Sequence, residues 1–92
     1  MVKEIKLKHI VKIQHSQMKI FEAEDDDFPD RRIVVANERA IQYWLDKITS
    51  NKEEQNTIYN VINKHNFNNS DYTFKPICDD LRKLGYTILE GK

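Results

Sequence analysis

Between Ala23 and Arg32 the chain reads AEDDDFPDRR, five carboxylates in seven residues followed by two arginines. Clustered acids of this kind serve calcium coordination, two-carboxylate magnesium sites for phosphoryl transfer, or charge-steered docking of a basic partner. A calcium loop opening at Asp25 needs glycine at its sixth position and glutamate at its twelfth; Asp30 and Ala36 stand there instead. A magnesium site drawn from Asp25, Asp27 and Asp30 lacks a strand-borne carboxylate to complete it. The expectation is a surface loop between two strands that holds no metal, with Phe28-Pro29 as a stiff apolar anchor among the charges. Glu24, Asp25, Asp26, Asp27, Phe28, Asp30, Arg31 and Arg32 therefore form the first candidate partner-binding segment.

Few other residues have the types and spacing that catalysis requires. His9, His15 and His65 belong to no HExxH pattern and no Cys/His ligand set. Cys78, the single cysteine, falls on an apolar helical stripe, which suits a small core residue better than a nucleophile. The only glycines are Gly85 and Gly91, so phosphate-cradling loops, dinucleotide fingerprints and nucleophile elbows are excluded. The chain is expected to be no enzyme, with no catalytic residue and no cofactor.

The cations are the second candidate set. Lys6, Lys8, Lys12 and Lys19 carry the N-terminal charge, and Lys75, Arg82 and Lys83 lie on a predicted helix near the C-terminus. Residues 52–90 have the rhythm of a helix-turn-helix running into a wing strand, which makes nucleic-acid binding the alternative function. Asp79 and Asp80 on that same helix oppose it, because they repel phosphate.

The elements that would position these residues follow from periodicity. Ile5, Leu7, His9, Val11 and Ile13 alternate with Glu4, Lys6, Lys8, Lys12 and Gln14, which predicts a half-buried strand with a lysine-rich outer face. A turn near His15-Ser16-Gln17 returns a second strand through Met18–Ala23, and Ile33–Ala36 reads as a third. The period then changes. Asn37 is read as the N-cap of a helix carrying Ile41, Trp44, Leu45 and Ile48 toward the core. Asn51-Lys52-Glu53-Glu54 has capping-box spacing for a second helix, which presents Ile58, Tyr59 and Ile62. After a loop at Asn66–Ser70, a third helix carries Phe74, Ile77, Cys78, Leu81 and Leu84, with Pro76 in its first turn and Gly85 at its C-terminal cap. Tyr86–Leu89 reads as a last strand. The expectation is an α+β fold in the order βββαααβ, an antiparallel three- to four-stranded sheet with three helices on one face.

Length and charge set the outer bounds. Ninety-two residues, 39% of them apolar, suit one domain spanning 1–92. No apolar run can span a bilayer, and the lone cysteine fits a reducing compartment, so a soluble cytoplasmic protein with no membrane contact is expected. Net charge is zero, but residues 1–20 carry +4, residues 21–30 carry −6 and the remainder +2. Lysine outnumbers arginine eleven to four, and eleven isoleucines and eight asparagines suggest an AT-rich coding sequence of bacterial or phage type. Together these features point to a small interaction module with a protein partner or a second copy of itself, an accessory or inhibitor protein of the phage-encoded kind that occludes a host macromolecule.

Overall fold

The computed structural model describes residues 4–66 and 74–91. Its elements are β1 (Glu4–Lys6), α1 (Leu7–Glu24), α2 (Arg31–Ile48), α3 (Lys52–Asn66), α4 (Lys75–Lys83) and β2 (Thr87–Leu89). The chain is thus mainly helical, and its two three-residue strands pair in parallel, Ile5 opposite Ile88. The expected antiparallel sheet in the order βββαααβ is not formed.

The first two expected strands are one eighteen-residue helix. Its buried residues include Ile10, Ile13, Gln14 and Gln17, at the i, i+3, i+4, i+7 spacing of a helical face. Two of the four are glutamines, so the helical period is half hidden in any hydropathy pattern. Ile10 falls on the wrong side of a strand alternation over residues 5–13, and it is fully buried. No glycine, proline or asparagine lies between Glu4 and Glu24 to break the run.

The expected third strand is also helical. Asp30 caps α2 by accepting the Arg32 backbone N–H at 2.9 Å, seven residues ahead of the expected cap at Asn37. Asn37 lies inside the helix and donates Nδ2 to the Ile33 carbonyl at 2.8 Å. The β-branched Ile33, Val34 and Val35 lose only a few tenths of a kcal/mol each in a helix, which capping and packing on α1 offset.

The C-terminal half follows its sequence signals. The Asn51 side chain accepts from the Glu54 N–H at 3.1 Å and starts α3. Pro76 sits in the first turn of α4. Gly85, at φ +101°, ends it: its N–H donates to the Arg82 carbonyl, and the Tyr86 N–H to that of Leu81. These two bonds form a Schellman motif that aims the chain into β2. The loop expected at 66–70 lies, beyond Asn66, outside the described residues.

Helices α1 and α2 pack along their length as a hairpin joined by residues 25–30; α3 lies on α1, and α4 on α3 and β2. The core between them joins Ile5 and Ile88 to Ile10, Ile13, Ile58, Ile62, Ile77 and Leu81, with Ile41 and Leu45 from α2. Each such side chain contributes about 1.5–3 kcal/mol on burial. Polar clamps orient the helices. Gln17 accepts from the Asn66 amide and donates to the Tyr59 carbonyl, joining α1 to α3. The buried Gln55 donates to Asp46 Oδ1 and to the Thr49 carbonyl, closing the α2–α3 corner. Asp80 on α4 meets His65 Nε2 at 2.7 Å and Lys64 Nζ at 3.5 Å, and these contacts hold its carboxyl below the usual range.

Gly85→Ala forces a side chain into a positive-φ conformation and should cost about 1–2 kcal/mol in denaturant unfolding. The buried Tyr86 donates its hydroxyl to Glu54 Oε2 at 2.9 Å, and burial with that bond pushes its pKa up to about 12. An unfolded tyrosine ionises near pH 10 while the folded one stays neutral, so stability should fall as pH rises from 10 toward 12. Tyr86→Phe should abolish that fall and lose about 1 kcal/mol at neutral pH, both read from melts across the pH range.

Candidate functional site

The acidic stretch forms the tip of the α1–α2 hairpin, between two helices and not between two strands. Glu24 is the last residue of α1, and the Asp25 N–H still donates to the Phe21 carbonyl at 3.0 Å. Asp30 is committed to structure: besides capping α2, its carboxylate binds the Arg32 guanidinium at 3.3 Å through both oxygens. Those hydrogen bonds hold its carboxyl below the usual carboxylate range. Arg31 is exposed in the first turn. Glu24, Asp25, Asp26 and Asp27 are exposed and pair with no cation among the described residues. Phe28, at 92% exposure, is the most exposed large apolar side chain described. Among the described residues no three His, Cys, Asp or Glu side chains are placed to hold a metal ion.

The expected nucleic-acid set separates into two groups. Lys6 leaves β1, and Lys8, Lys12 and Lys19 follow along the exposed face of α1 with His15 between them. Lys75, Arg82 and Lys83 sit apart on α4, where Arg82 pairs with Asp79 at 3.4 Å and reaches Glu90 at 4.0 Å. Strand β2 forms no hairpin wing beside that helix, because it pairs with β1.

A different constellation appears at the base of the hairpin, opposite the tip. A cleft of about 530 Å³ opens between the β1–β2 pair and the last turns of α2. Lys6, Lys8 and Lys47 stand around it, with Glu4 as its one carboxylate among the described residues, and Trp44, Tyr43, His9, Ile48 and Leu89 supply its rings and apolar wall. The three lysines form no ion pair with a described residue. Trp44, expected in the core, is half-buried and packs against the core from this edge. Its ring lies 5.3 Å from His9, inclined 36°, and 5.0 Å from Tyr43 at 86°. Lys47 Nζ lies 5.3 Å above the Tyr43 ring.

His9 reports the local field. Partial burial lowers its pKa below 6.5, and the nearby charges of Lys8, Lys6 and Lys47 lower it further. The cleft is therefore electropositive, with an aromatic floor and no internal counter-charge beyond Glu4 among the described residues. Chemically it can accept carboxylates or phosphates at its rim and a ring or aliphatic group against Trp44, Ile48 and Leu89. Lys6 and Lys8 were among the sequence candidates, whereas Lys47, Tyr43 and Trp44 were not. Their signal was the Tyr43-Trp44 pair followed by Lys47 one turn later, with Tyr43 outside the apolar stripe.

Comparisons with protein-family models, curated proteins and solved structures give no match to this chain.

The His9 ring proton, followed by NMR, should titrate below 6.5, and Lys6→Glu with Lys8→Glu should move that midpoint upward. The unfolded chain takes up this proton first, so the His9 contribution to stability is present above 6.5 and declines as pH falls through the folded midpoint.

Proposed function

We propose that this chain is a non-enzymatic binding module whose recognition surface is the cleft at the base of the α1–α2 hairpin, and that the cleft takes an acidic protein segment bearing one aromatic side chain. The observation that carries this reading is the convergence of Lys6, Lys8 and Lys47, without acidic partners among the described residues, on the half-buried Trp44 ring. Carboxylates of the partner would supply the missing counter-charge and steer its approach. A ring set against Trp44 and Leu89 would supply the desolvated contact from which affinity arises. A module of this kind acts by occupancy: it blocks or bridges its partner and transforms nothing.

A second reading is nucleic-acid binding, and one observation favours it. Lys8, Lys12 and Lys19 extend the basic surface from the cleft along α1 for about 16 Å, a span suited to a phosphate backbone. Against it, the Trp44 and Tyr43 rings stand nearly perpendicular, so successive bases find one stacking platform and not two.

Trp44 is the sole tryptophan, so its emission reads the cleft directly. A synthetic acidic peptide with a central phenylalanine should shift that emission saturably, and raised salt should weaken the binding. Lys6→Glu with Lys8→Glu should reduce affinity by about tenfold or more. No response to the peptide defeats the first reading. Sub-micromolar, salt-sensitive binding of an oligothymidylate, lost in Lys8→Glu/Lys12→Glu/Lys19→Glu, would replace it with the second.

A further inference from the structure

We infer that the segment the cleft accepts is the acidic tip of a second copy of this chain, residues 24–28, so that the protein associates head to tail. The inference rests on the binding reading above and names its partner.

The two ends match in chemistry. The tip offers Glu24, Asp25, Asp26 and Asp27 without counter-ions among the described residues, and in the same loop a phenyl ring exposed to 92%. The cleft offers Lys6, Lys8 and Lys47 around an aromatic and aliphatic floor. Arg31 and the Arg32–Asp30 pair leave the tip net negative. A phenylalanine so fully hydrated gains the most from a desolvating pocket; Ile33, Tyr43 and Leu84, the next most exposed apolar side chains, are each covered by about half.

The tip is also held ready. The last turn of α1 closes through Asp25, and the first turn of α2 is fixed by the Asp30 cap. Pro29 restricts the residue before it, so Phe28 projects from a short loop anchored at both ends, and little ordering is left for binding.

Tip and cleft cannot meet within one molecule. Each helix of the hairpin has eighteen residues, which separates the two ends by about 27 Å. Contact therefore joins two copies through different surfaces. One such contact leaves a free tip on one copy and a free cleft on the other, and these either take up further copies in a row or close on each other, the smallest closed form being two antiparallel copies with both contacts made.

Sedimentation equilibrium of the full chain tests this. The average mass should rise past that of the monomer with concentration and fall back with added salt. A tip variant (Phe28→Ser, Asp26→Asn, Asp27→Asn) and a cleft variant (Lys6→Glu, Lys8→Glu) should each be monomeric with an unchanged far-UV spectrum. Mixed in equal amounts, they should form a one-to-one pair and stop, because one supplies the intact cleft and the other the intact tip. Lys8→Glu/Lys47→Glu serves as a second cleft variant should the first lose its fold. Wild type that stays monomeric at about 1 mM in low salt overturns the inference, as does association that persists in the tip variant or the cleft variant alone, or a variant mixture that fails to pair. If the synthetic acidic peptide still shifts Trp44 while the chain does not self-associate, the cleft reading stands and the self-partner falls. If the peptide is inert as well, both fall.

Discussion

Pairing of β1 with β2 is the constraint on which the rest of the structure turns. Three residues at one end of the chain hydrogen-bond in parallel with three residues about eighty positions later. A two-stranded pair of this length is not stable by itself. It persists because Ile5 and Ile88 lie opposite each other and both enter the core, where α1 and α4 cover them. The Schellman turn at Gly85 delivers β2 at the required angle, and Tyr86 ties that entry to α3 through Glu54. Once the pair is formed, Lys6, Leu89 and the start of α1 are fixed beside the end of α2. The cleft is the space these pieces enclose, so its shape depends on contacts remote from it in sequence.

What the chain discloses before it folds depends on whether its buried face is apolar. The α3 and α4 helices were legible because Ile58, Ile62, Ile77 and Leu81 mark their inner faces, and because Asn51, Pro76 and Gly85 punctuate them with known geometry. Helix α1 was not legible, since Gln14 and Gln17 occupy core positions and the remaining residues mimic a strand's alternation. The front of α2 is disguised for a related reason: Ile33–Ala36 has strand propensity, but Asp30 caps a helix there and α1 packs against it. For the site, Lys6 and Lys8 are legible as cations in the sequence, whereas their neighbours are not. An aromatic on a helical stripe fits a sealed core and a cleft wall equally well, and only the tertiary packing distinguishes them.

The buried amides bear on uniqueness more than on strength. Gln17 reaches Asn66 and the Tyr59 carbonyl across the α1–α3 interface, a contact that tolerates no slippage of one helix along the other. Gln14, almost fully buried, finds no hydrogen-bond partner among the described residues. An unsatisfied amide of that kind detracts from stability by about 1–3 kcal/mol. The helices are therefore positioned by polar matching over an isoleucine core that by itself would accept several registers.

Separation of charge along the hairpin has a colloidal consequence. The molecule has no net charge at neutral pH and an isoelectric point near 6.8, yet its ends differ in sign. Such a particle carries a large permanent dipole moment and lacks the monopole repulsion that keeps most proteins dispersed. In dilute buffer near neutrality its solubility should therefore pass through a minimum. Simple electrolyte, whose ions screen the attraction between aligned dipoles, should dissolve the protein before any salting-out sets in.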